Sequence, residues 1–174
     1  MSVSTIKIAT LHDLLDFEAR RYTSAEIKLQ KQLQGWIGMA GSLKLKAVLR
    51  KYDEFISDHI QKFERFFEED NISSLSLENK LMEAYISDLD EKLECCTDAE
   101  VRDACLLAGI QAINHYKISY YGTAAAFANA LGKEAHAAIF HEAEAREKQI
   151  DDRLSQLAEF EINKKARPRM ILHR

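Results

Sequence analysis

One proline and six glycines in 174 residues are too few for a fold that turns every few positions, so sandwiches, barrels and other hairpin-rich architectures are excluded. Cysteine is scarce too. Cys95 and Cys96 are adjacent, Cys105 stands alone on a helical stretch, and there is no CxxC pair. That usage fits a reducing cytoplasm and not a secreted disulfide framework. The first residues, "MSVSTIKIATLHDLLDFEARR", lack the basic start, apolar run and cleavage site of a signal peptide, and none is expected. Also missing are β-alternation, a GxGxxG, a GKS or GKT phosphate loop, a nucleophile elbow and any internal repeat.

The formal charge is −4 and unevenly spread. The last twelve residues carry Lys164, Lys165, Arg167, Arg169 and Arg174 and no acid, which leaves −9 for residues 1–162. An acidic body disfavours wrapping nucleic acid, where neutralised phosphates supply most of the affinity. No nucleic-acid partner is expected, and the basic tail reads as solvated. Residues 104–132 hold a single charge, Lys117, over a length sufficient to span a bilayer. They also hold Gln111, Asn114, His115, Ser119, Asn129 and three tyrosines, and their apolar content is largely alanine. A buried central helix accounts for this stretch, and no membrane association is expected.

What the chain does contain is helical periodicity. Five segments are marked by their punctuation. The first covers roughly 11–37 behind Thr10 and ends in "GWIGMAGS" (35–42). The second covers roughly 43–69 behind Ser42 and closes at "DNISSLS" (70–76). A shorter third, roughly 77–93, follows Ser76. "TDAE" (97–100) reads as a capping box in which Thr97 and Glu100 exchange bonds, opening a fourth that ends at Gly132. The fifth runs from about 133 to 162. Four long helices and a short crossover make an all-α four-helix bundle over residues 1–162, with a basic tail over 163–174.

Acids and imidazoles interrupt three of the buried stripes. Glu26 falls among Leu15, Tyr22, Leu29 and Leu33; His59 among Tyr52, Phe55, Phe63 and Phe66; Glu147 among Phe140, Ala143, Ile150, Leu154 and Leu157. Spacings of three, four and seven aim each residue inward. A buried carboxylate must be paired, metal-bound or protonated, so three interruptions in one chain suggest a shared interior site. Converging carboxylates and imidazoles are how di-iron and di-manganese centres are built in bundles. Taken singly, each residue is more simply explained as a satisfied core polar group; taken together, the two readings stand about even. The Glu-x-x-His motif of such centres occurs nowhere in this chain.

"TSAEIKL" (23–29), "EVRDACLLAGIQAINHYKISYYGTAAAFANALG" (100–132) and "HEAEAREKQIDDRLSQLA" (141–158) resemble the YciE/YciF-type ferritin-like stress proteins over nearly all of residues 10–158. The resemblance implies a cytoplasmic ferritin-like (rubrerythrin-like) bundle, homodimerisation and a stress-response role. It also implies a di-metal centre where the acidic ligand positions are intact. Glu26 and Glu147 match family acids, and Asp58 falls in the acidic stretch of the second helix; with His59 these are the candidate metal residues. Asn114 and Lys117 replace both carboxylates of the family's "EHYE", and Arg21 and Arg146 stand where further acids are common. The expectation is that Lys117, with Arg21 or Arg146, pairs with Glu26 or Glu147 in place of the metal; snorkelling of Lys117 to solvent is the alternative.

Two functions follow. The first is a non-catalytic, dimeric interaction or structural protein with no cofactor. The second is an oxidoreductase of ferroxidase or peroxidase type, binding iron or manganese through Glu26, Asp58, His59 and Glu147 with help from His115. Tyr85, Tyr116, Tyr120 and Tyr121 are read as packing residues, and Trp36 as packing at a helix end or a dimer contact.

Overall fold

The computed structural model describes residues 7–69 and 77–167, and these form an all-α bundle. The helices are α1 (Leu11–Met39), α2 (Leu43–Glu69), α3 (Lys80–Cys95), α4 (Ala99–Ala130) and α5 (Glu134–Leu157). A π-helical turn (Ala158–Ile162) and a last short helix, α6 (Asn163–Lys165), extend α5. The expected close of the second helix at 70–76, the start at Ser76 and the tail from Pro168 onward lie outside the described residues.

Local chemistry sets most of the ends. Thr10 Oγ1 accepts from the Asp13 amide at 3.0 Å, and the Asp13 carboxylate accepts from the Thr10 amide at 2.9 Å, a reciprocal cap. Gly132 ends the α4 turn at φ +69°, where a Cβ would be strained. Elsewhere the structure departs from expectation. The α4 cap is Asp98, not Thr97: its carboxylate accepts from both Glu100 and Val101 amides at 2.9 Å. A charged acceptor reaching two orphan amides outcompetes a hydroxyl reaching one. α3 begins at Lys80 behind Asn79, which caps the Met82 amide. α1 continues through Gly35 and Gly38 to Met39, because burying Trp36 and Ile37 outweighs the helix penalty of glycine.

The bundle is a ring in which α1 lies beside α2, α2 beside α5, α5 beside α4, and α4 beside α1. Cross-bonds fix directions: Tyr52 to Glu147 and Lys62 to Glu142 make α2 and α5 antiparallel, and Asn114 to Glu147 with Gln111 to Ser155 do so for α4 and α5. α3 is the crossover; it covers the α1–α4 seam, where Trp36 donates to Asp90 at 2.7 Å. Trp36 is therefore a fully buried core residue of its own chain. The α1–α2 turn is tied down by Asp103 of α4, which accepts from the Gly41 and Ser42 amides at 2.8 and 2.7 Å.

Two apolar clusters fill the interior. One gathers Leu29, Leu33, Tyr52, Ile56, Leu106, Ile110, Ile150 and their neighbours; the other gathers Tyr22, Phe63, Phe66, Tyr121, Ala125 and Phe140. Burial of these surfaces is the main drive to fold. Between the clusters lies a layer that is not apolar at all.

Candidate functional site

That layer takes one residue or more from each of the four long helices. α1 brings Glu26, α2 His59, α4 Asn114 and Lys117, and α5 Glu147, and none exposes more than 2% of its surface. Each sits one helical repeat from apolar neighbours, so the packing that buries those neighbours carries the polar group inward with them.

Lys117 is the hub. Its Nζ lies 2.7 Å from Glu147 Oε1, 3.0 Å from Glu26 Oε1 and 3.1 Å from the Tyr52 hydroxyl, to which it donates. The Tyr52 ring centroid is 4.6 Å from the same nitrogen, which adds a cation–π attraction. Glu147 Oε2 accepts from Tyr52 OH at 2.8 Å and from Asn114 Nδ2 at 2.7 Å, while Asn114 Nδ2 also donates to the Glu147 carbonyl at 3.0 Å. Tyr121 OH donates to Glu26 Oε1. His59 Nδ1 lies 3.8 Å from both Oε1 atoms, within ion-pair range but too long to hydrogen-bond, and neither ring nitrogen has a hydrogen-bond partner among the described residues.

Two carboxylates facing one ammonium do not titrate alike. Burial pushes the Glu26 carboxyl up, but Lys117, His59 and the Tyr121 hydroxyl together outweigh it and hold Glu26 down at about 2. For Glu147 burial wins: with the Glu26 charge beside it, its carboxyl stays above the ordinary value despite Lys117. Burial, then the neighbouring carboxylates, push both Tyr52 and Tyr121 well up, which keeps them as donors.

Several expected residues are elsewhere. Asp58 is turned outward, paired with Lys62 at 2.9 Å and with Arg146. Arg146 bonds Asp58 and Glu142 at the surface, and Arg21 lies beside Glu18 at 3.3 Å. His115 is exposed against Asp151 at 3.0 Å. All four adjoin a buried residue in sequence (His59, Glu147, Tyr22 and Asn114), and one step along a helix turns a side chain by ~100°. Arg21 and Arg146 therefore do not reach the interior acids, and Asp58 is not a ligand with them. Lys117 does not snorkel. Tyr52, given only as part of the apolar stripe around His59, and Tyr121, read as a packing residue, are part of the centre; their signal was position, one heptad before His59 and four residues after Lys117.

The donor set does not match a di-metal centre, which wants Glu on two helices and Glu-x-x-His on the other two. Ligand atoms of Glu26, His59 and Glu147 do lie within 4.8 Å of one another, close enough for one cation. But the Lys117 ammonium touches both Oε1 atoms, and three further oxygen lone pairs are taken by Tyr52, Asn114 and Tyr121. A metal ion would have to displace a buried positive charge from between the same carboxylates.

Fold and centre together define a ferritin-like bundle with a lysine-bridged acidic interior. The chain belongs to the family described as "Domain of unknown function (DUF892)", matched over residues 10–167. It is 32% identical to Protein YciF of Escherichia coli (strain K12) over 167 residues, covering 95% of this chain and 98% of that protein. The crystal structure of the E. coli stress protein YciF superposes with a TM-score of 0.82 at 28% identity, covering 87% of this chain and 96% of YciF. YcfI from Rhodopseudomonas palustris, described as a candidate structural protein, superposes at 0.83 with 26% identity, covering 89% of this chain and 98% of its own. The YciF-type assignment is thus established, and no helix among the described residues is long and apolar enough to cross a membrane.

Proposed function

We propose that this chain is a non-catalytic, cytoplasmic and homodimeric member of the YciF-type stress proteins, a structural or interaction protein whose Lys117 takes the charge-neutralising place of a metal. The observation that carries this is the Lys117 ammonium, within 3.0 Å of Glu26 and 2.7 Å of Glu147. A fixed organic cation neutralises buried acids as a metal does but offers no open coordination position and no redox chemistry. The descriptions of the relatives, a stress protein and a candidate structural protein, support the coarser role.

The second reading, an oxidoreductase, is favoured by the close approach of Glu26, His59 and Glu147. Metal analysis of protein purified from cells supplied with iron and manganese separates the two. Substoichiometric metal, with ferrous oxidation no faster than buffer, is expected; tightly held metal at one or two ions per chain overturns the proposal. Sedimentation equilibrium tests the dimer.

A further inference from the structure

Three side chains of the buried centre meet in an order that ion pairing alone does not require. Lys117 Nζ lies 2.7 Å from Glu147 Oε1, and Glu26 Oε1 is 3.0 Å from the same nitrogen. A primary amine, an acyl group and a second carboxylate thus share one contact, and none of the three side chains is more than 1% exposed. The two acids are not equivalent. Glu147 Oε2 accepts from Tyr52 OH at 2.8 Å and from Asn114 Nδ2 at 2.7 Å. Glu26 Oε2 has no hydrogen-bond partner among the described residues. Two donors on one oxygen are what an acyl group under attack requires, because they hold the negative charge that develops there. A carboxylate beside the amine is what removal of its proton requires.

In water an amine and a carboxylic acid stay ionised, because hydration favours the charged pair over the amide. Without solvent that preference is lost: buried charges are costly, and a neutral amide with its hydrogen bonds made is not. Well-oriented groups held in contact react with effective molarities of roughly 10⁵–10⁸ M.

We propose that the Lys117–Glu147 ion pair is the precursor of an intramolecular isopeptide bond that forms slowly after folding. Glu26 Oε1 takes one ammonium proton and frees the lone pair of Nζ. Nζ attacks Cδ of Glu147, and charge collects on Oε2 under the Tyr52 and Asn114 donors. The Cδ–Oε1 bond then breaks, and Oε1 leaves as water with two protons, one from the nitrogen and one returned by Glu26. The balance is one ammonium and one carboxylate to one amide and one water, with no change of oxidation state or of the net charge of the centre. The bond ties α4 to α5 across residues 117–147. It rests on the lysine-bridged reading of the centre and adds a covalent state to it.

The test is denaturing mass spectrometry of the full chain, freshly purified and after days at a temperature where circular dichroism shows it still folded. The folded protein should lose the mass of one water with time, and protein held unfolded in urea should not. Trypsin, blocked at the acylated Lys117, should then release peptide 103–133 joined to the dipeptide 147–148. Lys117→Met should keep its full mass. Glu26→Gln retains the reacting pair and leaves one ammonium facing one carboxylate, so it keeps the test available if Lys117→Met folds poorly; its water loss should be about 100-fold slower. An unchanged rate in Glu26→Gln would overturn the role of Glu26. Full mass in the long-held folded protein would overturn the proposal, as would water loss that survives in Lys117→Met, or a link from Lys117 to peptide 22–28, which carries Glu26. Full mass in protein free of metal removes the bond and leaves the charge-neutralising reading standing, whereas tightly held metal removes that reading whatever the mass.

Discussion

Lys117 Nζ and Glu147 Oε1 approach to 2.7 Å in the middle of the bundle, with both side chains essentially without solvent exposure. An ion pair so placed is costly to halve, because the partner left behind keeps its charge and loses both water and counter-ion.

Lys117→Ala should therefore cost about 3–5 kcal/mol at neutral pH, read from urea denaturation. Lys117→Met fills the space but supplies no charge, so it too is destabilised at pH 7. In that variant burial raises the Glu26 and Glu147 carboxyls above their unfolded values. The folded state then binds the extra protons, so stability is greatest in acid and falls as pH rises. A Lys117→Met protein with wild-type stability at all pH values would show that the ammonium does not neutralise these acids.

In the unmodified protein Glu26 works in the opposite sense. Its folded value of about 2 lies below the ordinary 4.5, so its contribution is complete above 4.5 and is lost as pH falls toward 2. Glu147, raised, favours the folded state most below 4.5 and less as pH climbs through its folded value. Denaturation midpoints from pH 2 to 7 should show an acid limb that shrinks in Glu26→Gln and persists in Glu147→Gln.

Tyr121→Phe removes the hydroxyl that donates to Glu26. Hydrogen bonds to charged groups contribute about 1.5–3 kcal/mol, and a loss in that range is expected. Since that bond also lowers the Glu26 carboxyl, the acid limb should move to higher pH. Loss of stability with no shift of the limb would place the tyrosine's role in packing alone.

Asp58→Asn should change little, within about 1 kcal/mol, because the Asp58 side chain is 40% exposed and its Lys62 and Arg146 contacts are screened by water. Thermal melts that shift no further than this would agree with its outward position.

Asn114→Glu combined with Lys117→Glu returns carboxylates to α4 and removes the cation. The resulting cluster, with Glu26, His59 and Glu147, should raise the iron or manganese content above that of the parent, measured after purification. Two added acids that bind nothing and leave the protein unfolded would mean that this interior no longer accommodates a metal.

The fold and half of the centre were legible along the chain. Glu26, His59 and Glu147 sit on strongly patterned helices, where an apolar stripe names the inward face and any polar residue within it. Lys117 stood out as the single charge on a buried helix, but its pairing with the acids came from resemblance and not from pattern, because α4 is apolar nearly all round and its sequence does not say which face meets which neighbour. Asp58, Arg21 and Arg146 were misplaced for a related reason: one position along a helix changes the direction of a side chain completely, and likeness to a family motif does not resolve that step.

By itself, then, the sequence determined the helices, their order, the acidic interior and the need for a positive partner, since periodicity and the cost of buried charge are local and additive. Only tertiary structure decided which cation meets the acids. That choice depends on distances of about 3 Å between α1, α4 and α5, set by how the helices pack against one another and not by any one of them.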